Sequence, residues 1–216
     1  MELYTIPSGP LRVNTYVVVS EGEAAIIDPG QRNPALYEFI DAHPFRYRYL
    51  VLTHGHFDHM VETAGVKRRL PEIEILIHRA DAAALTDDSV SLYDQFSPVP
   101  AEHVEADRQL SGGERFPLGA ETLEIIHTPG HTKGGISILC GGLLFTGDTL
   151  FYRSVGRTDF PGGSFAELRA SVLKLFALSG DYRVLPGHEG ETRLSEERRE
   201  NPFVTVEVKS HKGEPL

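Results

Sequence analysis

The segment Thr53-His54-Gly55-His56-Phe57-Asp58-His59 constrains this chain more than any other. It follows the apolar run from Tyr49 to Leu52, which predicts a buried strand. Three imidazoles and one carboxylate fall within six residues, and such a mixture of nitrogen and oxygen donors suits zinc, iron or manganese. Gly55 would allow the sharp turn that points His54 and His56 at one place. The alternative is a solvated loop that is rich in histidine by chance, and it leaves matching residues farther along the chain unexplained.

Three later segments repeat one pattern, in which an apolar run leads into a tight glycine turn and then a side chain that can bind a metal. They are Pro129-Gly130-His131, Gly147-Asp148 and Pro186-Gly187-His188. Residues at the ends of several strands are held by a rigid scaffold, as a preorganised site requires. The sequence therefore predicts one metal site that is assembled from separate segments of the chain.

The combined motif resembles the metallo-β-lactamase superfamily. It consists of His-x-His-x-Asp-His at 54–59, Pro-Gly-His-Thr at 129–132, Gly-Asp at 147–148 and Pro-Gly-His at 186–188. The resemblance implies an α/β (α+β) fold, a four-layer αββα sandwich of two mixed β-sheets with helices on the outer faces. The run from Ser154 to Gly163 looks like the glycine-arginine loop of the glyoxalase II and persulfide dioxygenase branch. Asn201-Pro202-Phe203 is similar to the small, single-domain glyoxalase II members.

Counting the ligands gives two sets of three side chains and one shared carboxylate, an arrangement that the resemblance also implies. Two divalent ions would lie about 3.5–4 Å apart, and a water between them would ionise near pH 7 and attack the substrate as hydroxide. Zinc is the first choice of metal, with iron and manganese as alternatives. Asp58 and Asp148 are the catalytic candidates, the former to orient the nucleophile or carry its proton. The first set is His54, His56 and His131, the second is Asp58, His59 and His188, and the shared residue is Asp148.

The resemblance to glyoxalase II implies hydrolysis of a thioester, S-D-lactoylglutathione, to D-lactate and glutathione. Larger members carry a C-terminal helical domain that contacts glutathione, and a chain of 216 residues is too short to hold one. Another thioester, a small ester or a lactone is therefore also open. The main alternative is a persulfide dioxygenase with one iron bound by two histidines and an aspartate, because the run from Gly156 to Phe160 also looks like that group.

Three further classes are disfavoured. A β-lactamase of this superfamily places a cysteine in the second metal site, whereas Asp148 occupies the corresponding turn here. An RNase-Z-like nuclease needs a basic face, and the net charge of this chain is −10. A metal-dependent binding module without activity would need an incomplete or closed site, whereas all seven ligands are present.

Four more residues are candidates for supporting roles. Asp28 closes a predicted strand, and in the resembled family an acid at this place lies beneath the metal site and orients the ligand loop; the alternative is a simple turn residue. Arg157 would meet a substrate carboxylate or, alternatively, stabilise its own loop. Tyr93 and Phe96 lie in an irregular segment, 85–107, which we interpret as a flap with two possible substrate contacts. Their alternative is to cover the core beneath a solvated acidic face.

Length and composition favour one small-molecule enzyme domain. We predict a single domain over 1–216, with a core at 1–200 and a tail or added edge strand at 201–216. The single cysteine, Cys140, excludes an intrachain disulfide framework and is interpreted as a small buried hydrophobe. The sequence contains no signal-peptide pattern and no long apolar run. We therefore expect a cytoplasmic protein that binds neither nucleic acid nor membrane.

Periodicity and capping residues predict the main helices. Asn33-Pro34 begins a helix that continues to about Ala42. A second helix is expected from about Asp58 to Leu70, and a third from Ser164 to about Leu178. Among the other histidines, His78 at the end of a strand is interpreted as structural, and His103 as an exposed loop residue.

Overall fold

The first of two six-stranded sheets is built from the N-terminal half of the chain. The computed structural model describes residues 1–30, 33–97 and 100–203. The strands of this sheet lie side by side in chain order; β1 to β3 are antiparallel, whereas β3 to β6 are parallel. They are β1 (Glu2–Ser8), β2 (Val13–Ser20), β3 (Glu23–Ile27), β4 (Arg46–Val51), β5 (Glu74–His78) and β6 (Arg108–Leu110).

The second sheet contains later strands in the order β14-β13-β10-β9-β8-β7. Only β10 and β13 pair in parallel, so this sheet is also mixed. A separate two-stranded hairpin joins β11 and β12. The ranges are β7 (Arg115–Leu118), β8 (Glu121–His127), β9 (Ile136–Cys140), β10 (Leu143–Gly147), β11 (Leu150–Phe151), β12 (Ser154–Val155), β13 (Arg183–Pro186) and β14 (Thr192–Arg193).

Helices cover the outer face of each sheet, which confirms the expected four-layer sandwich. Alternation along β2 illustrates the layering, because Tyr16 and Val18 join the core between the sheets, whereas Val17 and Val19 join the core beneath the outer helices. A third apolar cluster lies between the second sheet and its own helices. The first sheet carries α1 (Pro34–Ala42), α2 (Phe57–Met60) and α3 (Thr63–Arg69), and the second carries α4 (Phe165–Phe176) and α5 (Leu194–Glu200).

Two of the three predicted helices are confirmed with their capping residues. The side chain of Asn33 accepts a hydrogen bond from the Leu36 amide at 3.0 Å, and Pro34 occupies the first helical turn. Ser164 caps α4 in the same way, accepting from the Glu167 amide at 3.3 Å. These polar caps satisfy backbone amides that a helix leaves without an internal partner.

The predicted helix from Asp58 to Leu70 is wrong, because the structure divides this segment into α2 and α3. The amide of Glu62 leaves the helical pattern and donates to the carbonyl of Pro29 at 3.2 Å. Glu62 is further held by the Tyr37 hydroxyl, which donates to its carboxylate at 2.7 Å. These contacts are distant in sequence, so helical periodicity could not reveal the break.

Some predictions concern residues at the edges of what the structure describes. The alternating run 204–208, predicted as an edge strand, and His211 lie outside the described residues. Within the described ranges, no helix has both the length and the apolar character needed to cross a bilayer. Segment 85–107 contains a short 3-10 turn at Tyr93–Gln95 and no α-helix or strand among its described residues.

Candidate metal centre

All seven predicted ligands converge at one end of the sandwich. They form three overlapping groups, and the potential ligand atoms within each group lie within 4.8 Å of one another. The groups are His54, His56 and His131; His54, His59 and Asp148; and Asp58, His59 and His188. Each ligand follows or caps a strand end: 54–59 follows β4, His131 follows β8, Asp148 follows β10, and His188 follows β13.

The first group consists of three imidazoles, and in two of them the outer nitrogen is already hydrogen-bonded. Nδ1 of His131 lies 2.7 Å from the carbonyl oxygen of Arg157, and Nδ1 of His54 lies 3.1 Å from the Thr53 hydroxyl. These contacts place the ring hydrogen on the outer nitrogen and leave a lone pair on Nε2. Nε2 of His131 lies 2.9 Å from Nδ1 of His56, so the ring nitrogens face one another.

The group of Asp58, His59 and His188 also brings its ligand atoms together, and Asp148 faces both this group and the first. Nε2 of His188 lies 3.2 Å from Nε2 of His59 and 3.4 Å from Oδ2 of Asp58. Oδ2 of Asp148 lies 3.5 Å from Nε2 of His131 and 3.6 Å from Nε2 of His188. One carboxylate thus faces both groups, which is the placement expected of a bridging ligand.

Two buried atoms in the cluster have no hydrogen-bond partner among the described residues. They are Nε2 of His54 and Oδ1 of Asp148. Leaving such an atom buried and unpaired is costly, and native structures seldom do so without an ion, a water or a function. Both atoms face the same cluster of donors, so a divalent cation would satisfy them. The donor set of imidazoles and carboxylates fits zinc, iron or manganese alike.

The electrostatics of the cluster lower the pKa of two imidazoles, His54 and His56, and raise the pKa of two others, His59 and His188. Burial and the neighbouring His59 and His131 lower the pKa of His54 well below its ordinary value, and burial with His131 lowers the pKa of His56 to about 4. Burial disfavours charge on His59 too, but Asp58 and Asp148 outweigh it and raise the pKa to about 10. Burial also raises the pKa of Asp58, yet His59 and His188 bring it to about 2.

Asp28 supports the ligand loop from beneath, where the sequence placed it. Its Oδ1 accepts from the Thr53 amide at 2.7 Å, and its Oδ2 accepts from the Thr53 hydroxyl at 2.6 Å. Oδ2 also lies 2.9 Å from Nδ1 of His59. Asp28 has a φ of 51°, a left-handed conformation that aspartate tolerates better than most residues. A buried carboxylate in this position orients His59 toward the cluster.

Asp81 is a supporting residue that the sequence analysis missed. Its Oδ2 accepts from the Gly55 amide at 3.0 Å and from the Thr132 hydroxyl at 2.7 Å, and its Oδ1 accepts from the Gly134 amide at 2.7 Å. Asp81 therefore ties together the loops that carry His54, His56 and His131. It follows β5 in a segment without a motif, so only its burial, with 6% of the residue exposed, distinguishes it.

Gly55 is required for space rather than for its backbone conformation. Its φ is not positive, so the turn that brings His54 and His56 together does not need the left-handed conformation that favours glycine. A side chain there would place a Cβ atom 2.8 Å from Cβ of Ala84 and 3.1 Å from Cβ of Asp81. Gly134 is similarly confined, since its Cβ would lie 2.5 Å from Cγ of Asp81. Both glycines thus allow the carboxylate of Asp81 to approach the ligand loops.

The turn that carries His188 is held by the N-terminal hairpin. The carbonyl oxygen of Leu11 lies 3.0 Å from Nδ1 of His188. The side chain of Asn14 donates to the carbonyls of Pro186 at 3.1 Å and Glu189 at 2.9 Å. The Asn14 amide also donates to Gly187 at 2.7 Å. Asn14 has no local pattern that indicates this role, because its partners are more than 170 positions away.

Two of the three proposed substrate contacts line a cavity beside the metal cluster, and the third does not. A cavity of about 280 Å³, which we call the metal-site cavity, contains ligands and apolar side chains. Phe96 and Arg157 line this cavity, whereas Tyr93 is not among its lining residues and packs on Phe57 with ring centroids 5.9 Å apart. The lining residues are Leu11, His56, Phe57, Asp58, Leu92, Phe96, His131, Asp148, Arg157, Phe160 and His188.

The guanidinium of Arg157 is bound within its own loop. Its Nε and one terminal nitrogen each lie 2.6 Å from a carboxylate oxygen of Asp159. The guanidinium carbon also lies 3.9 Å from the centre of the Phe160 ring. The Arg157 side chain therefore stabilises its own loop, which was the alternative to substrate binding. The contact of Arg157 with the metal cluster is made by its backbone carbonyl oxygen, which lies next to Nδ1 of His131.

The remaining histidines and the cysteine lie outside the metal cluster. The ring of His78 stacks on His127, with centroids 4.1 Å apart and an interplanar angle of 8°. Exposed His103 contacts Asp88 at 2.9 Å. Cys140 is fully buried in the core between the sheets, where burial raises the pKa of its thiol to about 11. The structure gives these residues packing and surface contacts.

Comparison with known proteins decides the family. The family model described as the metallo-beta-lactamase superfamily matches residues 8–188, a range that contains all seven clustered ligands. This chain belongs to the metallo-β-lactamase superfamily. Members are metal-dependent hydrolases, so the buried histidines and aspartates of this superfamily chain are candidates for one or two divalent metals.

Three similar proteins illustrate the relatives of this superfamily member. Hydroxyacylglutathione hydrolase GloC from Haemophilus influenzae is 32% identical over 94% of this chain and 98% of the relative. The BLEG-1 B3 metallo-beta-lactamase structure has a TM-score of 0.88 and 32% identity, covering 94% of this chain and all of that chain. TTHA1623, solved in a di-iron-bound form, has a TM-score of 0.83 and 31% identity over 93% of this chain and all of that chain.

Proposed function

We propose that this protein is a metal-dependent thioesterase of the hydroxyacylglutathione hydrolase type, with S-D-lactoylglutathione as the first candidate substrate. The observation that carries the proposal is the position of Asp148 between two three-residue ligand groups at the wall of an open cavity. A closed structural site would have no such access to a substrate. The name of the Haemophilus influenzae relative supports the same chemistry.

Two divalent ions, when bound, would lower the pKa of a nearby water molecule from 15.7 to about 7 and would polarise the substrate carbonyl. The water oxygen adds to the carbonyl carbon, the carbon–sulfur bond breaks, and the products are a carboxylic acid and a thiol. A thiolate leaves without a strong general acid. The cluster offers none for that step, since its two aspartates face imidazoles as acceptors.

The chain's own residues hold the reacting groups in place. Asp58 stays ionised at neutral pH because its pKa is about 2, so its carboxylate can orient the nucleophilic water and accept a hydrogen bond from it. The apolar walls at Phe57, Phe96 and Phe160 exclude bulk water from the acyl group. This role of Asp58 and the bridging role of Asp148 are parts of the proposal.

A persulfide dioxygenase is the second candidate, motivated by the run from Gly156 to Phe160. That reaction needs one iron held by two histidines and an aspartate. It would leave Asp58 and His188 without the metal-binding roles proposed above. Metal stoichiometry and oxygen consumption therefore separate the two functions.

The test measures metal content per chain and thioester hydrolysis on the same purified sample. We expect about two metals and cleavage of S-D-lactoylglutathione, with Asp148→Ala and His188→Ala each reducing the rate by at least about 100-fold. His103→Ala is the matched control, because His103 contacts Asp88 on the surface. Full activity in Asp148→Ala would contradict the proposal. One iron together with oxygen uptake on glutathione persulfide would favour the dioxygenase.

A further inference from the structure

Two cavities share His56 as a wall. One is the metal-site cavity, and the other is a second cavity of about 240 Å³. The loop after Arg157 borders both cavities, because Phe160 lines the metal-site cavity whereas Pro161 and Gly162 line the second. We call the second space the Lys133 cavity; it is lined by Gly55, His56, Ala80, Asp81, Ala84, Val90, Thr132, Lys133, Pro161 and Gly162.

The described wall of the metal-site cavity has no lysine or arginine that is available to an anionic substrate group. Arg157 is the only lysine or arginine on its described wall, and both of its contacts with Asp159 are 2.6 Å long. A bidentate pair of this kind satisfies the fork of the guanidinium and neutralises its charge. Apart from the proposed ligands and Arg157, the walls are apolar. A substrate carboxylate would therefore be poorly solvated there.

The Lys133 cavity, by contrast, contains a lysine that is available to a substrate anion. Lys133 is exposed, and its ammonium makes no hydrogen bond or ion pair with any described residue. The acidic residue on the same wall is Asp81, whose two oxygens already accept three hydrogen bonds from Gly55, Thr132 and Gly134. The stem of Lys133 is positioned along Gly162, where an added Cβ would lie 3.6 Å from Cγ of Lys133. The ammonium of Lys133 is thus available in the cavity next to the one in which the substrate carbonyl would react.

We propose that Lys133 forms an anion-binding subsite that holds a carboxylate on the thiol half of the thioester substrate. The acyl half would occupy the apolar metal-site cavity, and the thiol half would pass His56 into the Lys133 cavity. The inference rests on the proposed thioesterase function and adds a substrate class to it: thioesters between a small apolar or hydroxylated acyl group and a thiol that bears a carboxylate. It moves substrate-anion recognition from Arg157 to Lys133.

The test compares two substrates that differ only in this charge. S-butyryl-3-mercaptopropionate carries the carboxylate, and S-butyryl-3-mercaptopropionamide replaces it with a neutral amide of similar shape. We expect the wild-type protein to prefer the acid by about tenfold in kcat/KM, as a charge-assisted contact at a partly exposed site provides. Lys133→Met should abolish this preference, and Lys133→Glu should reverse it.

Two control variants make the result specific. Arg199→Met removes an exposed cation that has no side-chain partner among the described residues, and the preference should persist in this variant. Arg157→Met tests the competing assignment. A preference that survives in Lys133→Met but disappears in Arg157→Met would overturn the inference. Equal rates for the acid and the amide in the wild-type protein would also overturn it.

A binding measurement separates this inference from the proposed function. The thioethers 3-(butylthio)propionate and 3-(butylthio)propionamide cannot be hydrolysed, so their dissociation constants are measurable whether or not the protein is a thioesterase. Tighter binding of the acid that disappears in Lys133→Met would support the subsite even if neither thioester were cleaved. Equal binding of acid and amide to the wild-type protein would reject the subsite, while thioester cleavage would still stand.

Discussion

Oδ2 of Asp28 lies 2.9 Å from Nδ1 of His59, and both side chains are buried. The same carboxylate oxygen accepts a hydrogen bond from the Thr53 hydroxyl at 2.6 Å. The outer nitrogen of His59 is held by this carboxylate, so Nε2 is the ring nitrogen that faces Asp58, Asp148 and His188. Asp28 thus determines which nitrogen of His59 is available to a metal, although it lies outside the cluster itself.

Replacing Asp28 with asparagine should weaken metal binding without unfolding the protein. The amide would present a donor to Nδ1 of His59, which favours the wrong ring tautomer, while asparagine still tolerates the left-handed backbone at this position. We expect metal affinity to fall by about 10- to 100-fold. Titration of the metal-free protein with zinc measures the change, and Asp94→Asn at an exposed position is the control. Unchanged affinity in Asp28→Asn would contradict this role.

Asp81→Ala should destabilise the fold and loosen two ligand loops together. The substitution leaves the Gly55 and Gly134 amides and the Thr132 hydroxyl without their buried acceptor. We expect a loss of about 2–4 kcal/mol in the free energy of unfolding. Urea denaturation measures this loss, with Asp94→Ala as the control. If Asp81→Ala were as stable as that control, the three hydrogen bonds would make no net contribution to the free energy of unfolding.

Removing metal should lower the thermal stability of the protein reversibly. A ligand at about 100 times its dissociation constant stabilises the native state by about 2.7 kcal/mol. For a chain of this size we expect chelation to lower Tm by about 5–10 °C. Scanning calorimetry before and after addition of EDTA, and again after zinc is restored, measures the shift. The shift should be smaller in His188→Ala, and an equal shift in that variant would exclude His188 as a ligand.

The Cys140 thiol should be inert in the folded protein. It is fully buried, and burial raises the pKa to about 11. Since the thiolate is the reactive form, the thiol remains protonated and inaccessible at pH 8. We expect a thiol-specific reagent to label fewer than about one chain in ten within an hour at pH 8, and to label all chains after unfolding in guanidinium chloride. Rapid labelling of the native protein would contradict the buried placement.

Much of the fold could be predicted from local sequence. The apolar runs indicated the strands, and the caps at Asn33 and Ser164 indicated two helices because polar side chains satisfy free helix amides locally. The break at Glu62 could not be predicted in this way. Its amide donates to Pro29, a partner more than thirty positions earlier in the chain. A helix can end because of a tertiary contact that its own sequence does not record.

The sequence by itself determined the chemical nature of the site, since each proposed ligand belongs to a short motif of a strand end, a glycine turn and a donor side chain. Only the tertiary structure decided what surrounds that site. It placed Asp81 between two ligand loops and left Lys133 open beside a second cavity. The physical reason is that ligand identity depends on residue type and local turns, whereas support and access depend on contacts between distant segments that no local pattern records.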